Sequence, residues 1–289
     1  MTEYRFKFAE LIVQISSEHK LVIEEHIKKF IYDGNRESDV YVQVISEWDE
    51  ECLPKCEFAG EDDINGFYKE GDISYCTMRG GTAGVISSTR YDEKCRAFQC
   101  AVNVEKFPNL PGTVGMVMRM LPMKEIFVHH GILFFHASQI LYREKGIMFT
   151  APSGTGKTTQ AKLWEKYRNA EIICNDRTLV RKIEGKWYAY GYPIDGSEAV
   201  RSSKVTKLGC IVLLEQASDN LVETVGVAKA ATSLMSQLVL DAWNVNEKTR
   251  AMELILSLVE EYPIYLFKCT KDEEAIETLE KVLVMSNLV

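Results

Sequence analysis

Along the first 110 residues, apolar and polar positions alternate in short runs. Tyr4–Gln14, Asp39–Trp48, Ile73–Met78, Gly81–Tyr91 and Arg96–Lys106 carry β-branched and aromatic residues in partial period-two order. That pattern predicts strands with one face buried. One helix, over Glu18–Tyr32, interrupts them. Acidic, glycine-containing stretches such as Gly60-Glu61-Asp62-Asp63 read as loops, and Asn109-Leu110-Pro111-Gly112 as a breaker.

Beyond the breaker the period changes. Thr113–His130 reads as helix, with Pro122 marking a kink or a junction. Ile132–Tyr142, Gly146–Thr150, Glu171–Asp176, Leu208–Glu215 and Ile264–Cys269 are apolar runs fit for buried strands. Leu179–Gly191 predicts a hairpin around Glu184-Gly185. Thr159–Lys166, Lys229–Trp243 and Asn246–Tyr262 predict helices, and Asp272–Met285 a capped final one. Strand and helix alternate only in this half. The expectation is a strand-rich region over 1–110 and an α/β core with a mixed sheet over 111–289.

One connection in that core carries chemistry. Between the strand ending at Thr150 and the helix beginning near Thr159 lies Ala151-Pro-Ser-Gly-Thr-Gly-Lys157-Thr158. This has the form of a phosphate-binding loop. Glycines let successive N–H groups face one anion, the lysine adds a point charge, and Thr158 offers a hydroxyl to a magnesium ion. A helix N-terminus behind the loop adds its dipole. Ser153, Gly154, Thr155, Gly156, Lys157, Thr158 and Thr159 are the predicted nucleotide-binding residues. Ala151 stands where the usual pattern has glycine, a departure of one methyl.

Composition narrows the partners. The net charge is −8 with no long basic run, which argues against general nucleic-acid binding. No apolar stretch reaches the length of a membrane span, and the first residues lack a secretion signal, so a cytoplasmic location with reduced cysteines is expected. Cys52/Cys56 and Cys95/Cys100 lack zinc-ligand spacing.

Three further features accompany the loop. His136 follows a run of apolar residues, and Asn175-Asp176 ends a strand, where an acid can hold magnesium. Tyr190-Gly-Tyr-Pro-Ile-Asp-Gly196 could shape an acceptor pocket. Arg177, Arg181 and Arg201 follow nearby, and any of them could stabilise charge on a transferring phosphoryl group.

On these residues the chain resembles the C-terminal domain of HPr kinase/phosphorylase and the wider phosphoenolpyruvate carboxykinase-like group. Ser153–Thr159 looks like the carboxykinase version of the loop. His136 lies 157 − 136 = 21 positions before Lys157, as the matching histidine does in the kinases. Asn175-Asp176 falls where the family has an Asp-Asp pair, and Ile194 replaces the family's tryptophan. Lys207–Asn220 and Tyr265–Ala275 resemble the small standalone members. The resemblance covers roughly residues 125–289 and does not extend to the N-terminal domain of HPr kinase.

The resemblance implies an ATP- and Mg2+-dependent kinase acting on a serine of a peptide or protein. Lys157 would hold the outer phosphates, Thr158 and Asp176 the metal, and His136, Asn175, Asp176 and Arg201 the reacting groups. The family's base is replaced by Asn175, whose amide cannot accept a proton at neutral pH. Two alternatives stay open: a nucleotide-binding regulator without catalysis, and a carboxykinase acting on oxaloacetate.

Overall fold

The computed structural model describes residues 1–194, 202–241 and 243–288. The chain divides into two compact units, Met1–His130 with Leu240–Glu247, and Gly131–Val239 with Lys248–Val289. Residues 111–130 thus fall with the strand-rich unit, where the sequence pattern had placed them with the second. The helices that follow the breaker are part of the first unit: Thr89 Oγ1, on one of its strands, donates to the carbonyl of Met120.

In the first unit one sheet has the order β1-β2-β3-β8-β7-β6-β5-β4. Its strands are β1 (Thr2–Phe8), β2 (Leu11–Ser17), β3 (Val40–Ile45), β4 (Glu57–Glu61), β5 (Asn65–Glu70), β6 (Ile73–Arg79), β7 (Val85–Asp92) and β8 (Ala97–Val102). Strands β2, β3 and β8 run parallel, and the other neighbours are antiparallel. Along β3, Val40, Val42 and Val44 are buried while Tyr41 and Gln43 face out, so the alternation seen in the sequence is a one-sided sheet.

Three expectations for this unit are corrected. The strand expected over Tyr4–Gln14 is the β1–β2 hairpin, turned at Ala9 (φ 47°) and Glu10 (φ 64°). The helix expected over Glu18–Tyr32 shrinks to α1 (Glu25–Lys28). Its flanks instead join the backbone of other elements, Val22 N–H donating to Gly112 and Tyr32 N–H to Arg5. The acidic loop around Gly60 is β4 and its turn into β5. Pro122 does separate two helices, α2 (Val114–Arg119) and α3 (Met123–His129).

The second unit is built on two long strands, β9 (Ile132–Tyr142) and β14 (Val205–Gln216). Around them lie β10 (Lys145–Thr150), β11 (Glu171–Cys174), β12 (Arg177–Ile183), β13 (Lys186–Gly191), β15 (Leu221–Thr224) and β16 (Ile264–Cys269). Each long strand changes partners along its length. The first half of β9 pairs with β12 and the second half with β10 and β11. Strand β14 pairs first with β13, then runs parallel to β10 and β16. The pairings β10–β9–β12–β13–β14–β10 therefore close on themselves. The hairpin joining β12 to β13 turns at Glu184 (φ 48°) and Gly185 (φ 75°), as the sequence predicted.

Four helices complete the chain: α4 (Lys157–Arg168), α5 (Val227–Met235), α6 (Val245–Glu261) and α7 (Glu273–Met285). Helix α5 ends eight residues earlier than expected (235 against 243). The chain after it instead lays its backbone along β9, with Val239 N–H donating to Phe134. Helices α4 and α7 share an apolar core with β9, β10, β14 and β16 that includes Ile140, Phe149, Trp164, Val212, Phe267 and Leu279. Trp164 is fully buried and stands edge-on to Tyr142 at 5.1 Å. Burying a side chain of that size contributes about 3 kcal/mol, which anchors the helix that follows the glycine loop. No helix among the described residues is long and apolar enough to cross a membrane.

Candidate functional site

The site starts where β10 stops. Strand β10 is locked between β9 and β14, and its last residue, Thr150, pairs with Ala137 and Leu213. The chain then turns through residues 151–156 into α4. Ala151 is buried in the core and keeps a negative φ, so the missing first glycine costs no backbone freedom. The glycines are needed further on, where Gly154 (φ 80°) and Gly156 (φ 116°) lie in the left-handed region. Gly156 caps α4 without any side-chain hydrogen bond, so the first amides of the helix keep their donors for another acceptor.

Lys157 is the first residue of α4 and is only 6% exposed. Its ammonium donates to the carbonyls of Ala151 (2.8 Å) and Pro152 (3.2 Å). Burial lowers its pKa; Asp176 opposes that change and Arg177 adds to it. Ser153 and Gly154 are exposed, while Thr155, Gly156, Thr158 and Thr159 are half-buried. The predicted nucleotide-binding residues thus run from the turn at 153–156 into the first turn of α4.

His136 sits at the point where β9 changes partners. Its N–H donates to Gln237, and its carbonyl accepts from Thr150 Oγ1. The register places it opposite Arg177. Its Nε2 is 2.9 Å from Asp176 Oδ1. Burial lowers the His136 pKa, Lys157 and Arg177 push the same way, and Asp176 pushes back. The imidazole is therefore neutral at pH 7, and its hydrogen bond orients the Asp176 carboxylate.

Asp176 and Asn175 form the turn between β11 and β12. Asn175 O accepts from Ser138 Oγ and Asp176 O from Ala137 N–H, so the turn is tied to β9 by its own backbone. The Asp176 side chain is 20% exposed and lies 3.9 Å from Arg177 Nη1. Asn175 is only 3% exposed, and both polar atoms of its amide lack a partner.

The structure therefore gathers Lys157, His136 and Asp176 within electrostatic reach of one another, with Asn175 beside them. It also selects among the arginines. Arg177 joins the group, whereas Arg181 lies four positions along β12, opposite Ile132. Arg201 and residues 195–196 of the predicted acceptor loop lie outside the described residues. Lys204 is engaged with Glu171.

One residue escaped the sequence pattern. Gln216, at the end of β14, donates from Nε2 to the carbonyls of Gly154 (3.2 Å) and Thr155 (3.0 Å). Nothing in a glutamine 60 positions after the loop (216 − 156) signals that contact. All eight cysteines are free thiols.

The fold and the site define a mixed α/β protein whose strand–turn–helix connection gathers a buried lysine, an uncapped helix start and a histidine–aspartate pair. The chain belongs to the family described as SynChlorMet cassette protein ScmC, whose model matches residues 106–284, more than half of its length. No curated protein matches it in sequence. Among solved structures it is similar to the Hpr(Ser) kinase/phosphatase from Coxiella burnetii, at 12% identity and a TM-score of 0.33. That match covers 53% of this chain and 97% of the other.

Proposed function

We propose that the protein is an ATP- and Mg2+-dependent kinase that phosphorylates a serine hydroxyl of a peptide or protein. One observation carries the reading. A buried ammonium, partnered among the described residues by two backbone carbonyls, sits at the uncapped start of a helix. Phosphate oxygens would serve that ammonium and those amides together. The loop would hold the β- and γ-phosphates, with Lys157 as the charge that binds them.

The donor set suits magnesium, which takes one or two carboxylate or hydroxyl oxygens from the protein and the rest from phosphates and water. Asp176 and Thr158 would hold it, with Asp176 oriented by His136. Bound there, the ion would neutralise charge shared between the two outer phosphates. In transfer, the serine oxygen forms a bond to the γ-phosphorus, and the bond from that phosphorus to the β–γ bridging oxygen breaks. The hydroxyl proton passes to the Asp176–His136 pair. Asn175 takes no proton. Arg177, near Asp176, would offset charge on the transferring group.

Incubation with γ-labelled ATP, magnesium and candidate serine peptides tests this. Label on serine is expected, and the absence of both label and ATP consumption rejects it. Asn175 favours a second reading, a nucleotide-binding regulator, because its buried, unpartnered amide stands where a base would serve. That reading expects ATP binding without turnover, and activity appearing in Asn175→Asp.

A further inference from the structure

Strand β10 ends at Thr150, opposite Leu213, but its neighbour β14 continues to Gln216. The extra length runs beside the glycine loop. Pro152–Thr155 and Leu214–Gln216 line a recess of about 610 Å3 there. The backbone of Gln216 is held at its full extension, paired with Cys269 of β16. Its exposed side chain therefore projects from a rigid support. It donates to two successive loop carbonyls, those of Gly154 and Thr155.

Those two carbonyls belong to the peptide planes that the glycines flank. They lie between Gly154 and Gly156, both at positive φ, where rotation of a peptide plane meets little steric resistance. The peptide unit is planar and trans, so its C=O and N–H point in opposite directions. Holding the Gly154 and Thr155 carbonyls toward Gln216 turns the Thr155 amide to the Pro152 carbonyl, to which it donates at 3.3 Å, and turns the Gly156 amide away from Gln216. If the Thr155–Gly156 plane flipped, a carbonyl oxygen would face the bound anion in place of the Gly156 donor.

We infer that Gln216 is a positioning residue for nucleotide binding: it clamps the glycine loop so that the Gly156 amide, and not the Gly154 and Thr155 carbonyls, faces the phosphates. The inference rests on the kinase reading in one respect, that the loop's ligand is a nucleotide phosphate. Gln216 touches neither phosphate nor acceptor and takes no part in the transfer. Its effect belongs in affinity, and it lies on the surface, away from the core that stabilises the fold.

Titration calorimetry with MgATP, and separately with pyrophosphate, tests it on the full chain. Gln216→Met keeps the length of the side chain but has no donor. It should weaken MgATP and pyrophosphate alike by about tenfold, the worth of two side-chain hydrogen bonds to an exposed loop. Gln216→Glu should weaken both by roughly a hundredfold, because its carboxylate repels the carbonyls and adds a charge beside the anion. In both variants kcat at saturating ATP should stay within about twofold of the parent, since a loss of ground-state binding shows in KM. Melting temperatures should be unchanged.

Parental affinity in both variants overturns the inference. So does a fall in kcat at unchanged affinity, or a fall in melting temperature that tracks the lost affinity. If the parent itself binds neither MgATP nor pyrophosphate, the kinase reading fails instead.

Discussion

Each unit draws a lysine in among polar groups, Lys124 half-buried and Lys157 buried, and the two are treated in opposite ways. In the first unit, Lys124 lies between Asp241 Oδ1 (2.6 Å) and Asp62 Oδ2 (2.8 Å). Burial works to lower its pKa, but the two carboxylates outweigh it and the pKa rises. In the second unit, among the described residues, Lys157 meets the carbonyls of Ala151 and Pro152 at its ammonium. There burial wins over Asp176, and the pKa falls. The first charge is neutralised inside the protein. The second is buried at some cost and left largely uncompensated, as expected of a group kept for a ligand.

The largest effect expected from this contrast is on stability. Lys124→Met strands Asp241, which is 3% exposed, without its counter-charge. Breaking a buried pair on one side costs about 3–5 kcal/mol, and the lower end applies because the Lys124 side chain keeps 26% of its exposure. Urea titration should show a clear loss of stability. Lys157→Met should show none. Equal losses in the two variants would mean that both lysines are structural.

Comparable in size is a pH effect beside Lys124. Glu247 is 3% exposed. Burial first, then the Asp241 and Glu125 charges, push its pKa up to about 8 from an ordinary 4.5, while a backbone hydrogen bond from Asp241 and the Lys124 charge oppose. The folded state therefore holds a proton that the unfolded chain releases. Stability is full below about pH 4.5 and is lost as pH rises toward 8. Each tenfold change in proton affinity is worth about 1.4 kcal/mol, so the loss across this window is on the order of 5 kcal/mol. Melting temperatures from pH 5 to 9 should fall in the parent and stay flatter in Glu247→Gln. Parallel curves would show that Glu247 ionises freely in the fold.

These contrasts also mark what the sequence made legible. The loop, its flanking strand and its helix could be read because their chemistry is local: glycines where φ is positive, an apolar run before them and a lysine at a helix start. The hairpin at Glu184-Gly185 was legible for the same reason. The β1–β2 turn was not, because Ala9 and Glu10 carry none of the usual turn chemistry and tertiary packing imposes their positive φ. Strand β4 was hidden by its charges. It is a sheet edge, where Glu57 and Glu61 suit exposure rather than alternation. The Lys124 pairs join residues 62, 124 and 241, and no local pattern reports such a contact. The same holds for Gln216 against the loop and for the choice of Arg177 over Arg181.

At the site itself, Lys157→Met should weaken MgATP binding by roughly a hundredfold, or about 2.7 kcal/mol, the scale of a lost charge-assisted contact to phosphate. Calorimetry reads it directly. Unchanged affinity would place the ligand's charge elsewhere and remove the distinction between the two lysines.

The smallest expected effect tests whether the Lys157 charge is uncompensated before any ligand arrives. His136 has its pKa lowered from 6.5, first by burial and next by Lys157, with Asp176 opposing. A lysine fully neutralised by its own partners would exert little field on that imidazole. In Lys157→Met the burial of His136 stays but the cation is gone, so its titration midpoint should move up toward the ordinary value. Arg177 remains as the other cation acting on it and should keep the recovery incomplete. The His136 ring-proton resonance, followed by NMR against pH without nucleotide, reads the midpoint in both forms. The sign also fixes the stability trend. A histidine held neutral in the fold is destabilising as pH falls below 6.5, and that acid-side loss should be smaller in the variant. An unmoved midpoint would mean that the Lys157 charge is already screened by the loop carbonyls, as the Lys124 charge is by its two aspartates, and the two lysines would then differ in partner but not in availability.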